Sequence, residues 1–354
     1  MIKKFLRRFS NDIGIDLGTT NTLVSLAGAG IVINEPSVVA INNKTNKIIA
    51  LGTEAKNMMG RTPEHISIVR PIIDGVISDY EVTEEFLSYL INKANNLNKK
   101  FLGPRVVIGI PIGITDVEIR AVEDAAISAG AREVFIIEEP AAAAIGMGLS
   151  VHTPFGSMIV DIGGGTTDIA ILSLSGIVLR KSIKIAGDKM NQDIISYLKS
   201  QYKIIIGEKT SEEIKLEIGS ALPDEETSHH LREVSVKGRD LATGLPKEIM
   251  VGEIDIREAM YPSIALIVEA TKEILEVSPP EVLGDIIKSG IILTGGGALI
   301  RNIEKLFEIQ LKVKTTISQN ALMDVATGCG FVLNEIEKFE QLVIKNVDDV
   351  SFVK

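Results

Sequence analysis

Met158-Ile-Val-Asp-Ile-Gly-Gly-Gly-Thr-Thr-Asp-Ile169 is a short apolar run that ends in an aspartate, three glycines and two threonines. A run of this length bounded by a glycine cluster reads as a buried strand that turns sharply at its end. The same design occurs earlier, in Ile13-Gly-Ile-Asp-Leu-Gly-Thr-Thr-Asn-Thr22. Asp16 and Asp161 stand about one domain length apart, on the order of 100–150 residues. The echo predicts two related α/β halves, each presenting a carboxylate and a glycine turn to a shared cleft. A third cluster, Ile291-Ile-Leu-Thr-Gly-Gly-Gly-Ala-Leu299, again follows a buried-looking strand. Helical patterns alternate with these runs, as expected of α/β domains.

Each turn has a chemical reading. Glycines let backbone N–H groups approach an anion closely and adopt positive φ. Thr19, Thr20, Thr166 and Thr167 add hydroxyl donors. Asp16 and Asp161, each at a strand end, suit a hydrated magnesium ion, which keeps most of its waters and takes few carboxylates. Either motif alone reads equally as a tight β-hairpin. The matched pair at domain spacing favours a clamp that holds a polyphosphate from both sides. Other nucleotide motifs are absent: there is no GxxxxGK[ST] loop and no GxGxxG opening a helix after a strand.

The totals exclude several classes. The chain has 354 residues, 45% hydrophobic and 24% charged, which describes an ordinary globular protein of about two domains. The one cysteine, Cys329, rules out an internal disulfide framework and any CxxC motif, which suits a reducing cytoplasm. Four scattered histidines leave little material for a zinc site. A net charge of -10 argues against bulk nucleic-acid binding. No stretch is long and apolar enough for a membrane span. The N-terminus lacks the continuous apolar run of a secretory signal, so a cytoplasmic protein is expected. Residues from about 31 to 74 carry turn signals and extended segments. Those from about 184 to 248 are more polar, with helical stretches and an expected loop at Pro223–His230.

The first residues, MIKKFLRRFSND, stand out against the acidic whole. On a helix Ile2, Phe5, Leu6 and Phe9 fill one stripe, while Lys3, Lys4, Arg7 and Arg8 fall on the opposite face. A segment this short is not a stable helix alone in water. Its apolar stripe needs a surface, either a bilayer interface or its own domain. On a bilayer, burial offers about 1.5–3 kcal/mol per apolar side chain. Each cation near anionic lipid adds about 1 kcal/mol. Ordering costs about 1–2 kcal/mol per residue, so one copy binds marginally. Many copies on a filament would bind strongly through multivalency. A second apolar pair, Phe101-Leu102, reads either as a membrane loop or as the start of the strand around Arg105.

The set DLGTTNT, IEEPAAAAIG, VDIGGGTTD, TGGGAL and DVATGCGFVL resembles the five motifs of the actin-like ATPase superfamily. VINEPSVVAI, AKNMMGRTPE, RPIIDGVISDYEV, RVVIGIPIGIT, LSGIVLRKSIKIAGDKMN, IGEKTSEEIKLEIG and PPEVLGDIIKSGIILTGGG narrow the resemblance to MreB, the family of bacterial actin homologues. The match runs from near the start to about residue 335. It implies an α/β, actin-like fold: two related ribonuclease-H-like domains, each with a smaller subdomain, and a nucleotide in the interdomain cleft. The implied subdomains are IA (1–30 and 75–145), IB (31–74), IIA (146–183 and 249–354) and IIB (184–248).

The resemblance also implies roles. Asp16, Gly18, Thr19, Thr20 and Asn21 form the first phosphate loop. Asp161, Gly163, Gly164, Gly165, Thr166 and Thr167 form the second, with Asp16 and Asp161 on magnesium through water. Glu139, with Thr166, orients the attacking water; as a carboxylate before Pro140 it also suits a helix start. Ala141–Ala144 fit a helix packed closely at a hinge. Gly187, Glu212 and Lys215 flank the nucleoside, with the carboxylate on the ribose and the lysine stem over the adenine. Glu212 and Lys215 also read as a surface ion pair three apart on a helix. Gly295, Gly296, Gly297 and Ala298 line the nucleoside from the other side.

Thr20, Asp168 and Asn191 depart from the usual family pattern. Alanine, glutamate and an acidic residue are more frequent there. The implied activity is Mg–ATP hydrolysis coupled to paired, antiparallel protofilaments on the inner face of the cell membrane. Ile2, Phe5, Leu6, Phe9, Phe101 and Leu102 would contact lipid there. Membrane-embedded cell-shape and wall-synthesis proteins are the implied partners, and no nucleic acid. The alternatives are other actin-superfamily ATPases. A chaperone-type ATPase needs a substrate domain for which the short tail leaves no room. A sugar kinase needs a catalytic aspartate and polar sugar pocket that the sequence does not offer. A plasmid-segregating filament would capture a DNA adaptor instead of persisting on membrane.

Overall fold

The computed structural model describes residues 10–97, 102–223 and 232–344. Strand Ser10–Leu17 shows why the chain folds around its first motif. Both of its faces are covered, so it does not alternate polar and apolar residues. Ile13, Ile15 and Leu17 pack into a core with Phe86, Leu87 and Leu90 of the helix Tyr80–Leu97. On the opposite face Gly14 leaves room for another helix. A Cβ there would stand 2.6 Å from the backbone N of Gly330.

This strand is an inner member of a six-stranded sheet. The order is Val343–Ile344, Glu133–Glu138, Leu102–Ile110, Ser10–Leu17, Asn21–Leu26 and Gly30–Pro36. Ser10–Leu17 runs antiparallel to its hairpin partner and parallel to Leu102–Ile110. The second sheet repeats that plan in five strands. Its order is Gly176–Ile183, Thr167–Ser173, Ser157–Ile162, Ile291–Thr294 and Thr315–Ile317. Ser157–Ile162 is again antiparallel to its hairpin partner and parallel to the strand on its other side. Asp16 and Asp161 are both next to last in their strands. The internal echo in sequence is thus an echo in topology.

Helices Glu139–Gly146 and Asp324–Asn334 lie between the two sheets and touch backbone to backbone. A Cβ on Gly328 would lie 1.8 Å from the carbonyl oxygen of Ala142, and one on Gly146 would lie 2.0 Å from that of Asp324. Ala141–Ala144 are buried throughout. The run of alanines and the glycines opposite therefore have one cause, the closeness of two helices that join the halves. The cluster around them takes Val107 and Ile137 from the first sheet and Ile159 and Ala170 from the second.

Each half carries an excursion. Strands Val39–Asn42, Lys47–Leu51 and Ile66–Val69 form a small sheet with the helix Thr53–Met58. In the other half, helices Gly187–Gln201 and Glu208–Ile218 accompany a sheet of Ile204–Ile205, Glu233–Asp240 and Pro246–Gly252. Sequence reading expects the helices but not this sheet. Its strands largely alternate exposed and partly buried residues and expose Met250, so they read as polar linker. Among the described residues, no helix is long and apolar enough to cross a membrane.

Candidate nucleotide cleft

The two glycine turns meet. Gly163 N–H donates to the carbonyl of Thr166 at 2.9 Å and closes the second turn. A Cβ at Gly164 would lie 2.0 Å from Thr20 Oγ1, and one at Gly165 would lie 2.7 Å from Thr19 Oγ1. The backbone of one hairpin thus rests on the hydroxyls of the other, and any side chain at those two glycines would part them. Thr19 Oγ1 also accepts from the N–H of Gly75 at 3.3 Å. Thr20 Oγ1 is buried with no hydrogen-bond partner. A buried hydroxyl of this kind is costly and is normally paired. In Gly18, at the mouth of the first turn, a Cβ would stand 2.6 Å from the carbonyl oxygen of Asn21.

Carboxylates converge behind the turns. Burial pushes Asp16 up to about 7. Burial also raises Asp161 well above its ordinary range, reinforced by the charges of Asp16, Asp168 and Asp324. Glu139 begins its helix just after Glu138, with Pro140 in the first turn. It is raised likewise by burial and by Asp168, Asp16 and Asp161. Asp168 is pushed up to about 6 by burial, against the hydroxyls of Ser182 and Thr166 and the Ile112 N–H that donates to Oδ1 at 2.9 Å. Desolvated carboxylates that repel one another favour a cation among them. Among the described residues, no three His, Cys, Asp or Glu side chains are arranged to hold a metal unaided. Asp16 and Asp161 therefore fit a hydrated magnesium ion, which takes few carboxylates.

The third glycine cluster packs on the second hairpin. Gly295 has φ 81°, and a Cβ on it would lie 2.3 Å from Asp161 Oδ1. At Gly297 a Cβ would lie 2.3 Å from Ile162 Cγ2, and Ala298 is fully buried. Gly296 is looser, with Leu322 3.4 Å from its added Cβ. Lys215 pairs with Glu212 at 2.7 Å and donates to the carbonyl of Gly187 at 3.0 Å. Lys215 is 9% exposed, too buried for the surface pair that its spacing also allows. Asp188 N–H, next after Gly187, donates to the carbonyl of Gly164 at 2.8 Å and ties this end to the second glycine turn.

Sequence reasoning missed two groups. Arg70 Nη1 pairs with Asp188 at 2.5 Å and Nη2 lies 3.4 Å from Glu208, bridging from the excursion of the first half to the second half. Arg301 donates to the carbonyls of Ile218 at 2.8 Å and Gly219 at 3.2 Å, joining the end of the Lys215 helix to the stretch after the third glycine turn. Arg70 was marked only by its place at the start of the matched stretch RPIIDGVISDYEV, and Arg301 lies just beyond the third glycine cluster. Of the residues expected to contact lipid, Ile2, Phe5, Leu6, Phe9 and Phe101 lie outside the described residues. Leu102 is half-buried and opens the strand Leu102–Ile110, opposite Ser10.

A family profile described as MreB/Mbl protein matches residues 10–341. The cell shape-determining protein Mbl of Bacillus cereus is 48% identical over 337 residues, spanning 95% of this chain and 100% of the relative. Among solved structures, MreB5 of Spiroplasma citri bound to ADP is 40% identical with a TM-score of 0.88, spanning 93% of this chain and 98% of that one. The MamK double helical filament is 20% identical with a TM-score of 0.76, over 92% and 99% of the two chains, and shares the fold. The fold is actin-like.

Proposed function

The chain belongs to the MreB/Mbl family, and from that premise we propose that it is a membrane-associated, ATP-hydrolysing filament protein that organises cell-wall elongation and maintains rod shape. The observation that carries the enzymatic part is the meeting of two glycine turns over buried carboxylates, with Thr20 Oγ1 unpaired between them. The ADP in the Spiroplasma relative supports the same reading.

In this reading Gly18, Thr19, Thr20 and Asn21 hold the phosphates from one side, and Gly163, Gly164, Gly165, Thr166 and Thr167 from the other. Asp16 and Asp161 would hold magnesium through water, and the ion, when bound, would offset phosphate charge. Glu139 and Thr166 orient the attacking water, because phosphoryl transfer needs positioning and electrostatics more than a strong base. Gly187, Glu212 and Lys215 take one face of the nucleoside; Gly295, Gly296, Gly297 and Ala298 take the other. The four subdomains divide at residues 31–74 and 184–248, and the cleft lies between the halves.

Self-association is supported by the filament of MamK. We assign paired, antiparallel protofilaments lying on the inner face of the cell membrane, with Ile2, Phe5, Leu6, Phe9, Phe101 and Leu102 at the anionic lipid surface. Membrane-embedded cell-shape and wall-synthesis proteins are the partners. Sedimentation with anionic or neutral vesicles, with phosphate release followed in parallel, tests the proposal. Mg–ATP should bring the protein down with anionic vesicles and release phosphate. Sedimentation indifferent to ATP, or no phosphate release, would contradict it.

A further inference from the structure

Glu212 is held by one oxygen. Its Oε2 accepts from Asn191 Nδ2 at 2.6 Å and from Lys215 Nζ at 2.7 Å, while Oε1 makes no hydrogen bond among the described residues. Lys215 is anchored on Gly187, so it cannot follow Glu212 elsewhere without giving up that bond. Asn191 is anchored as well. Its backbone carbonyl accepts from Ser211 Oγ at 2.8 Å, which pins the helix Gly187–Gln201 to the helix Glu208–Ile218. The orientation of the amide is fixed by chemistry, since a carboxylate only accepts and the amide nitrogen must face it. The other end of the amide, Oδ1, is buried without a partner. That cost is borne by a side chain 6% exposed whose one hydrogen bond goes to Glu212.

We infer that Asn191 is a positioning residue for nucleoside recognition, which turns the Glu212 carboxylate so that Oε1 faces the ribose hydroxyls and makes the cleft selective for a ribonucleotide over its deoxy analogues. The inference rests on the nucleotide reading proposed above. Glu212 is partly exposed, so a carboxylate without the amide would swing among rotamers and toward solvent. Held by two donors on Oε2, it presents a single acceptor in one direction. A site whose acceptor is fixed in this way loses a hydrogen bond when the ligand lacks the hydroxyl. An aspartate at this position would replace the donor by a second carboxylate beside Glu212 and reverse the effect.

Isothermal titration of the full chain with magnesium decides the matter, using ATP, 2′-deoxy-ATP, 3′-deoxy-ATP and tripolyphosphate as probes. The unaltered protein should bind ATP about tenfold more tightly than at least one deoxy analogue. Asn191→Leu should bring ATP down to the level of that analogue and leave tripolyphosphate affinity unchanged. Asn191→Ser, which is smaller, should do the same and serves if the leucine variant does not fold. Equal binding of ATP and both deoxy analogues by the unaltered protein would overturn the inference and needs no variant. An undiminished preference in either variant would overturn it too. Binding of neither ATP nor tripolyphosphate would instead bring down the nucleotide reading, and this inference with it.

Discussion

Replacing Asp16 by Asn should stabilise the nucleotide-free protein at neutral and alkaline pH. Asp16 lies near the end of its strand in a cleft that it shares with Asp161, Glu139 and Asp168, and burial lifts it from 3.8 to about 7. A carboxylate whose pKa is higher in the folded state binds its proton more tightly there. Stability therefore falls as pH rises through the window from about 4 to about 7, and the loss is complete above it. Each unit is worth about 1.4 kcal/mol, so the full shift sets an upper limit near 4 kcal/mol. Asp16 is partly exposed and its neighbours titrate with it, which brings the expected effect to about 2 kcal/mol. Asparagine keeps the shape and removes the charge. The assay is urea unfolding in EDTA from pH 5 to pH 8. The unaltered chain should lose stability over that range; the variant should lose less and be the more stable at pH 8. A variant less stable at pH 8, or with the same pH slope, would refute the charge-repulsion account of the cleft.

Three further outcomes follow from named contacts. Glu139→Gln should slow phosphate release by about 10²–10⁴-fold, the usual worth of a positioned acid–base group, and leave ATP affinity within a few-fold. Gly328→Ala places a Cβ 1.8 Å from the carbonyl oxygen of Ala142 and must part the hinge helices; calorimetry should show a loss of about 1–3 kcal/mol or more. Arg70→Ala removes ion pairs to Asp188 and Glu208 that bridge the two halves. It should speed nucleotide release in stopped flow while costing under about 1 kcal/mol of stability, since the pairs are partly solvated.

The parts legible in sequence were those whose cause is local. A glycine turn after an aspartate announces itself because few other residues allow a backbone to approach hydroxyls as Gly164 and Gly165 approach Thr20 and Thr19. Ala141–Ala144 announced a close helix contact, though not that Gly328 and Gly146 would complete it from both sides. The sheet around Glu233–Asp240 was hidden because it has one weakly buried face, so its apolar residues alternate with charge. Arg70 and Arg301 were hidden for another reason. Their partners, Asp188 and Ile218, lie far along the chain, and only the folded topology brings them together. Asn191 stood out in sequence as a departure; the bond to Glu212 supplies the physical reason for it. Phe101-Leu102 read two ways, and Leu102 stands in the strand.

In the proposed function, ATP binding, polymer and membrane attachment are coupled. Cryo-electron microscopy of the full chain with Mg–ATP and anionic liposomes, beside a chain lacking residues 1–10, measures all three at once. Paired filaments on the liposome surface are expected for the full chain, and filaments free of the membrane for the shortened one. Equal decoration by both chains would rule out the N-terminal segment as the membrane contact, and no polymer in any condition would contradict the filament reading itself.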